Sequence, residues 1–303
     1  MANRATVTYN GKTISTEDRD GSFAVTYNGS TIATIGAGSS KTINCSGQPM
    51  KTDIVVGGKT LRCKNLKMYS NVVVSVKSLV DSVLANNSWA TISAISRAGQ
   101  AQQYWKVGDT KTFTCNGTTY TAQIIGFDHD DVSDSASYGR SKAGITFQFK
   151  EAYAITYKMD TSSYVTSYTN SDMHSSYLPA VLSGIESALS SVLIGVNKTV
   201  SKTISKNETI TNQKLILPAA MEIKGKSGLN STDQAQGTQY AFYSAGNSAV
   251  KTKVGTTTKI QYWTRTLEDD GEDFLYCYTI STSGSLGTVA VNTSKYIAPI
   301  FFV

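Results

Sequence analysis

Val7-Thr8-Tyr9-Asn10-Gly11-Lys12-Thr13-Ile14 returns 18 residues later as Val25-Thr26-Tyr27-Asn28-Gly29-Ser30-Thr31-Ile32. The same offset recurs further on. Lys41-Thr42-Ile43 returns as Lys59-Thr60-Leu61, Cys45 as Cys63, Met50 as Met68, and Asp53-Ile54-Val55-Val56 as Asn71-Val72-Val73-Val74. Each unit is one short hairpin's worth of chain, with Asn-Gly where a tight turn requires positive φ. A unit this small cannot bury a core alone and needs neighbours, from its own copies or from another subunit. The repeat therefore predicts a modular β assembly, a small sandwich or roll over residues 1–75.

Composition extends this reading to the whole chain. Of 303 residues, only 17% are charged, and the difference is made up by Ser, Thr, Asn and Gly. That polar but weakly charged balance suits β-rich extracellular or virion proteins better than helical cytosolic enzymes. Tyrosine dominates the aromatics with 17 copies. It supplies rigid area and a hydroxyl, which suits recognition surfaces. The net charge of +6 comes from scattered lysines, and no two arginines are adjacent. A nucleic-acid surface needs a denser basic stripe, so no nucleic-acid partner is expected.

The four cysteines, Cys45, Cys63, Cys115 and Cys277, form no CxxC pair, which excludes a zinc ribbon. Cys45 and Cys63 fall at one site of two repeat copies and read as small buried hydrophobes; a disulfide between them is the alternative. No apolar run approaches a membrane span, and Met1-Ala2-Asn3-Arg4 carries no secretory apolar region. The expectation is a chain made in a cytoplasm, without membrane insertion, and delivered outside in a virion.

Beyond the repeats, Val76, Leu79, Val80, Val83 and Leu84 have helical spacing, which predicts a connector helix within residues 76–88. Ser88 then caps a helix carrying Trp89, Ile92 and Ile95 that stops near Gly99. Thr112–Cys115 and Tyr120–Phe127 flank Asn116-Gly117 as a hairpin, and Ile145–Phe149 and Tyr153–Tyr157 read as strands. Ser171 to Val192 is the clearest helical segment, with Pro179 restarting it at a first-turn position. The apolar end Tyr296–Val303 is expected as a buried closing strand. The fold class is mainly β: a small N-terminal β domain (1–75), a helical connector (76–88) and an α+β domain (89–303).

Candidate chemistry is sparse. Asp128, Asp130 and Asp131 follow an apolar strand, with His129 among them. Carboxylates at a strand end can hold a divalent cation such as Ca²⁺, or shape the loop through backbone amides. Residues 268–273 form a second acidic loop, a solvated tip or a Ca²⁺ loop. Otherwise no cofactor is expected. Tyr262-Trp263-Thr264-Arg265, together with Trp105, supplies the residue types most frequent at binding hot spots, which also serve in cores. There is no Gly-x-Ser-x-Gly elbow and no phosphate-cradling loop. The chain is therefore read as a non-enzyme. Carboxylates paired for glycoside hydrolysis could come only from the acidic loops.

From Trp89 to Val303 the chain resembles an uncharacterised domain family of phage tail proteins and Gram-positive surface proteins. The resemblance rests on Trp105-Lys106-Val107-Gly108-Asp109, Ile124–Asp131, Asn170–Leu178, Leu215–Pro218, Tyr262–Arg265 and Pro299-Ile300-Phe301. It departs at His174 and Thr266, where the family usually has Arg and Ser. The pattern is also similar to C-type-lectin-like adhesin domains. The front repeats resemble β modules of phage tail and baseplate proteins. The resemblance implies a phage virion protein of the tail, baseplate or a fibre. Its N-terminal domain would dock to other virion proteins, and its larger domain would bind a host surface glycan or protein, as a homo-oligomer. A capsid decoration or head-fibre protein is the alternative, and a glycan-degrading tail enzyme the second.

Overall fold

The computed structural model describes residues 80–203, 205–268 and 273–303 in full, and the strand backbones of residues 1–79. The chain divides into two compact units, Met1–Asp81 and Ser82–Val303. Both are built mainly from antiparallel strands.

The first unit holds β1 (Ala2–Tyr9), β2 (Lys12–Asp20), β3 (Phe23–Tyr27), β4 (Ser30–Ile35), β5 (Ser40–Ile43), β6 (Ile54–Val56), β7 (Lys59–Leu61) and β8 (Val72–Ser78). They form two four-stranded sheets, β2-β1-β8-β5 and β4-β3-β6-β7. The 18-residue repeat is the operator that turns one sheet into the other. Val7 pairs with Val74 in the first and Val25 with Val56 in the second. Lys41 pairs with Val74, and Lys59 with Val56. The hairpins even share a register shift, between Val7 and Thr8 and between Val25 and Thr26. Adding 18 to the first partner and subtracting 18 from the second converts each pairing into its counterpart. The later copies are exchanged: β5 and β8 join the first hairpin, while β6 and β7 join the second. Each sheet thus needs strands from three copies, which is why no single copy could stand alone.

The connector differs from the sequence expectation. β8 continues through Ser78, with Val76 opposite Ala5, so the helix predicted from residue 76 does not form. A ladder partner and a run of β-branched valines prevail over the helical spacing. The turn Leu84–Asn86 is a short 3-10 helix, and it belongs to the second unit.

In the second unit the strands are β9 (Thr110–Cys115), β10 (Thr118–Phe127), β11 (Ile145–Phe149), β12 (Val196–Thr203), β13 (Lys206–Gln213), β14 (Leu215–Ile216), β15 (Lys251–Thr252), β16 (Lys259–Ile260), β17 (Tyr262–Glu268), β18 (Tyr276–Ile280), β19 (Leu286–Ala290) and β20 (Ile300–Phe302). The main sheet runs β14-β20-β11-β10-β9, and a second runs β17-β18-β19. The β9–β10 hairpin turns at Asn116 and Gly117, both at positive φ, as its Asn-Gly sequence predicts. The terminal strand β20 is buried inside the main sheet, next to β11.

Ser88 caps the helix Trp89–Arg97 by accepting from the Thr91 amide. This helix covers the sheet with Trp89, whose ring meets Phe147 edge-on at 5.5 Å. Phe113, Phe149 and Phe301 complete the aromatic core. Ser171–Val192 is helical in pieces rather than continuous. A π turn spans Met173–Tyr177, an α-helix Leu178–Ser183 and a short turn Ser187–Ser190. Pro179 stands in the first turn of the middle piece. The strand expected at Tyr153–Tyr157 is reduced to isolated bridges, Ala152 with Lys253 and Tyr157 with Lys295. A short helix spans Ala220–Lys224.

Candidate functional site

The aromatic–arginine motif does not form a surface. β17 is buried on both faces from Tyr262 to Leu267. Tyr262, Trp263 and Arg265 are each 0% exposed and Trp105 3%. Trp263 donates its indole N–H to the Tyr157 carbonyl at 2.8 Å, and Tyr262 its hydroxyl to the Ala249 carbonyl at 2.8 Å. The expectation that these four residues meet a receptor is therefore corrected. Tyr262, Trp263 and Arg265 lie in a strand covered on both faces, and Trp105 packs into the core after the short helix Ala101–Tyr104. Trp105 backs a cleft of ≈ 680 Å³ walled also by Leu84, Gln102, Tyr104 and Lys106, but presents almost no surface to it.

Arg265 instead anchors a buried ionic network with Asp130, Lys198 and Glu222, each at most 4% exposed. Lys198 sits in Val196-Asn197-Lys198-Thr199-Val200, where strand alternation puts it on the buried face with Val196 and Val200. Its ammonium donates to Asp130, to Glu222 Oε1 at 2.6 Å and to the Tyr240 hydroxyl at 2.8 Å. Tyr240 passes a hydrogen bond on to Asp130 at 3.1 Å, and Thr146 donates to Asp130 as well. Arg265 forks onto Glu222, Nη1 to Oε2 at 2.6 Å and Nη2 to Oε1 at 3.0 Å. Its other donors reach the carbonyls of Thr199 (3.1 Å), Leu217 (3.1 Å) and Gln236 (2.8 Å). All five guanidinium donors and all three ammonium donors are thus used within the protein.

The network carries two cations and two carboxylates and is neutral overall. Burial alone would raise the pKa of Asp130, but Lys198 and the adjacent His129 reverse this and hold it well below the usual range. Burial is likewise outweighed at Glu222 by Arg265 and Lys198, so its pKa is lowered. The hydroxyl of Tyr240 is pushed well above its ordinary value by burial and by the two carboxylates. A general acid for glycoside cleavage needs the opposite, a carboxyl whose pKa is raised. His129 closes the top, its ring 4.1 Å from that of Tyr240 and its Nε2 3.0 Å from the Thr238 hydroxyl. A depression of ≈ 230 Å³ lies above, with a floor made of groups that are already satisfied. Gly237 there has φ +133°, and a Cβ would stand 3.0 Å from Glu222 Oε1.

The three aspartates read as cation ligands diverge. Asp128 pairs with Arg140 at 2.7 Å, Asp131 with Lys142 at 2.7 Å, and Asp130 turns inward to Lys198. Each is neutralised by its own cation, so together they shape the loop and do not converge on an ion. Among the described residues, no group of three or more His, Cys, Asp or Glu side chains is arranged to hold a metal. The acidic loop 269–272 lies outside the described residues, as do Cys45 and Cys63. Cys115 and Cys277 are buried free thiols, with Cys115 pushed up to about 11 by burial.

A few tyrosines of the second unit reach solvent, beside exposed Val83, Ile155 and Leu275. Tyr120 stacks on Tyr153 at 5.6 Å, Tyr153 on Tyr157 at 6.1 Å, and Tyr157 on Tyr177 at 4.7 Å. The ladder begins in the core at Tyr120 and Tyr153 and emerges at the half-buried Tyr157 and Tyr177. Tyr177 ends the π turn, a distortion that recurs at functional sites. Tyr164 and Tyr276 are also exposed, at 47% and 38%. Most of the described tyrosines are buried, so the abundance of tyrosine serves the core more than the surface.

No family model, no curated protein and no solved structure matches this chain. No helix among the described residues is long and apolar enough to cross a membrane.

Proposed function

We propose that the chain is a non-enzymatic phage virion protein of the tail, baseplate or a fibre. The N-terminal unit docks to other virion proteins, and the second unit, of lectin-like type, binds a host surface receptor. The observation that carries this reading is the saturation of the buried network. Asp130, Lys198, Glu222 and Arg265 are the most chemically loaded residues of the second unit, and every donor among the two cations is spent internally. They act as a staple joining β12, β17 and the helix Ala220–Lys224, and leave recognition to the tyrosine surface. The unit thereby becomes a rigid scaffold, which lowers the entropy cost of holding a binding face in shape. Display of many copies on one particle supplies avidity, so each contact can be weak. The duplicated β unit and the motif order of residues 89–303, which resemble phage tail modules, support the setting.

The test is adsorption of the fluorescently labelled full chain to a panel of Gram-positive cells, with release of reducing ends followed in the same tubes. Saturable adsorption without new reducing ends is the expected result. Progressive shortening of a cell-wall or capsular polymer would overturn the reading in favour of an enzyme.

A further inference from the structure

The tyrosine ladder does not end in isolation. Asp160 and Asp172 fasten the loop that follows it. Asp172 Oδ2 accepts from the Thr161 amide at 2.9 Å and the Thr161 hydroxyl at 2.6 Å. Asp160 accepts from the Ser162 amide at 2.8 Å and the Asp172 amide at 3.1 Å. The loop then enters an antiparallel bridge, Val165 with Phe274, through reciprocal bonds of 3.0 and 3.1 Å. That bridge brings Tyr164 beside Leu275, and Tyr276 follows on β18 opposite Glu268. Chain order and the bridge thus link Tyr157 and Tyr177, through the exposed Thr161, Ser162 and Ser163, to Tyr164, Leu275 and Tyr276.

We infer that this path is the binding platform for an uncharged extended glycan. The inference rests on the receptor-binding reading above and gives it a site and a ligand class. Tyrosine faces suit the C–H faces of sugar rings, and tyrosine brings little conformational entropy to lose. The exposed serines Ser162 and Ser163 between them suit sugar hydroxyls as hydrogen-bonding partners. A platform held by hydrogen-bonded loop backbone is already shaped before the ligand arrives. Charge selects the class. Lys158 and Lys295 flank Tyr157, but Asp172, Glu268 and Asp273 outweigh them along the rest of the path. Such a surface repels a polyanion such as poly(glycerol phosphate).

The experiment is a binding array of the full chain against maltohexaose, chitohexaose and other neutral hexasaccharides, with poly(glycerol phosphate) and hyaluronan as anionic arms. Variants are Tyr177→Ala, Tyr276→Ala and the ring-preserving Tyr177→Phe, each checked by thermal melting. The expected result is binding to at least one neutral glycan, weakened tenfold or more by Tyr177→Ala or Tyr276→Ala and kept by Tyr177→Phe. Should Tyr177→Ala fail to fold, the exposed Tyr276→Ala carries the test. Neutral-glycan binding that both alanine variants retain would overturn the site, and so would binding confined to the anionic arms. Adsorption to cells with no glycan bound overturns the inference while leaving receptor binding in place. Absence of adsorption to any cell overturns both.

Discussion

Replacing Arg265 by Met tests whether the buried network is the structural staple of the second unit. Methionine fills much of the same volume but supplies no donor. Glu222 then keeps the Ala219 amide and Lys198, the latter shared with Asp130, and the carbonyls of Thr199, Leu217 and Gln236 each lose a partner. Removing one member of a buried ion pair costs about 3–5 kcal/mol, and each orphaned carbonyl adds to that. A loss of about 4 kcal/mol or more is expected, a large share of the roughly 5–15 kcal/mol that holds a typical domain together. Urea unfolding followed by tryptophan fluorescence measures it cleanly. Trp89, Trp105 and Trp263 are the protein's three tryptophans, and all lie buried in the second unit. The double variant Arg265→Met/Glu222→Gln removes the surplus negative charge, so its loss should fall short of the sum of the single losses. A loss below about 1 kcal/mol, or strict additivity, would refute the reasoning.

Acid should leave the second unit intact to an unusually low pH. Asp130 and Glu222 have depressed folded-state pKa values, so their stabilisation is complete above the ordinary carboxylate range near 4. It is lost only as pH falls through the folded values; Lys198→Met should move the acid-unfolding midpoint upward, as read by fluorescence. Lys251 behaves oppositely, since burial lowers its pKa to about 7 against the partial opposition of Glu151. Below pH 7 the folded protein must bury an ammonium, and this penalty fades as pH rises toward 10.4. Lys251→Met should therefore raise stability by roughly 2–4 kcal/mol at pH 6, with a gain that shrinks by pH 10 in the same urea assay. In the first unit, Val73→Pro and Val55→Pro remove ladder donors at repeat-equivalent positions of two central strands. Hydrogen exchange should report matching losses of protection in their respective sheets, with the second unit unchanged.

The sequence repeat made the first unit's duplication legible. It could not reveal the exchange of later strands, because an offset of 18 fits either pairing. The hairpin at Asn116-Gly117, the Ser88 cap and the buried terminal strand were likewise readable from local chemistry. The helix over residue 76 was misread because spacing alone ignores the partner strand that claims Val76. The site was less legible. Trp263 and Arg265 are hot-spot residue types, and nothing in their identity separates an interface from a core. Their surroundings do: Arg265 alternates in phase with Trp263 and Leu267, Lys198 with Val196 and Val200, and Glu222 is bracketed by Met221 and Ile223. A single charge on an otherwise apolar face signals a buried partner on another element. That signal could have found the network, although not which charges meet. The tyrosine ladder joins residues 120, 153, 157 and 177 across three segments, a juxtaposition that only the fold creates.

Adsorption isotherms on one strain of adsorbing cells, wild type against Tyr157→Ala/Tyr177→Ala, test the central claim most directly. The account expects saturable binding by the wild type and at least a tenfold weaker curve for the variant, with both chains melting cooperatively. Superimposable isotherms would mean that the emergent tyrosines are not the grip, and the division into inert staple and aromatic face would fail.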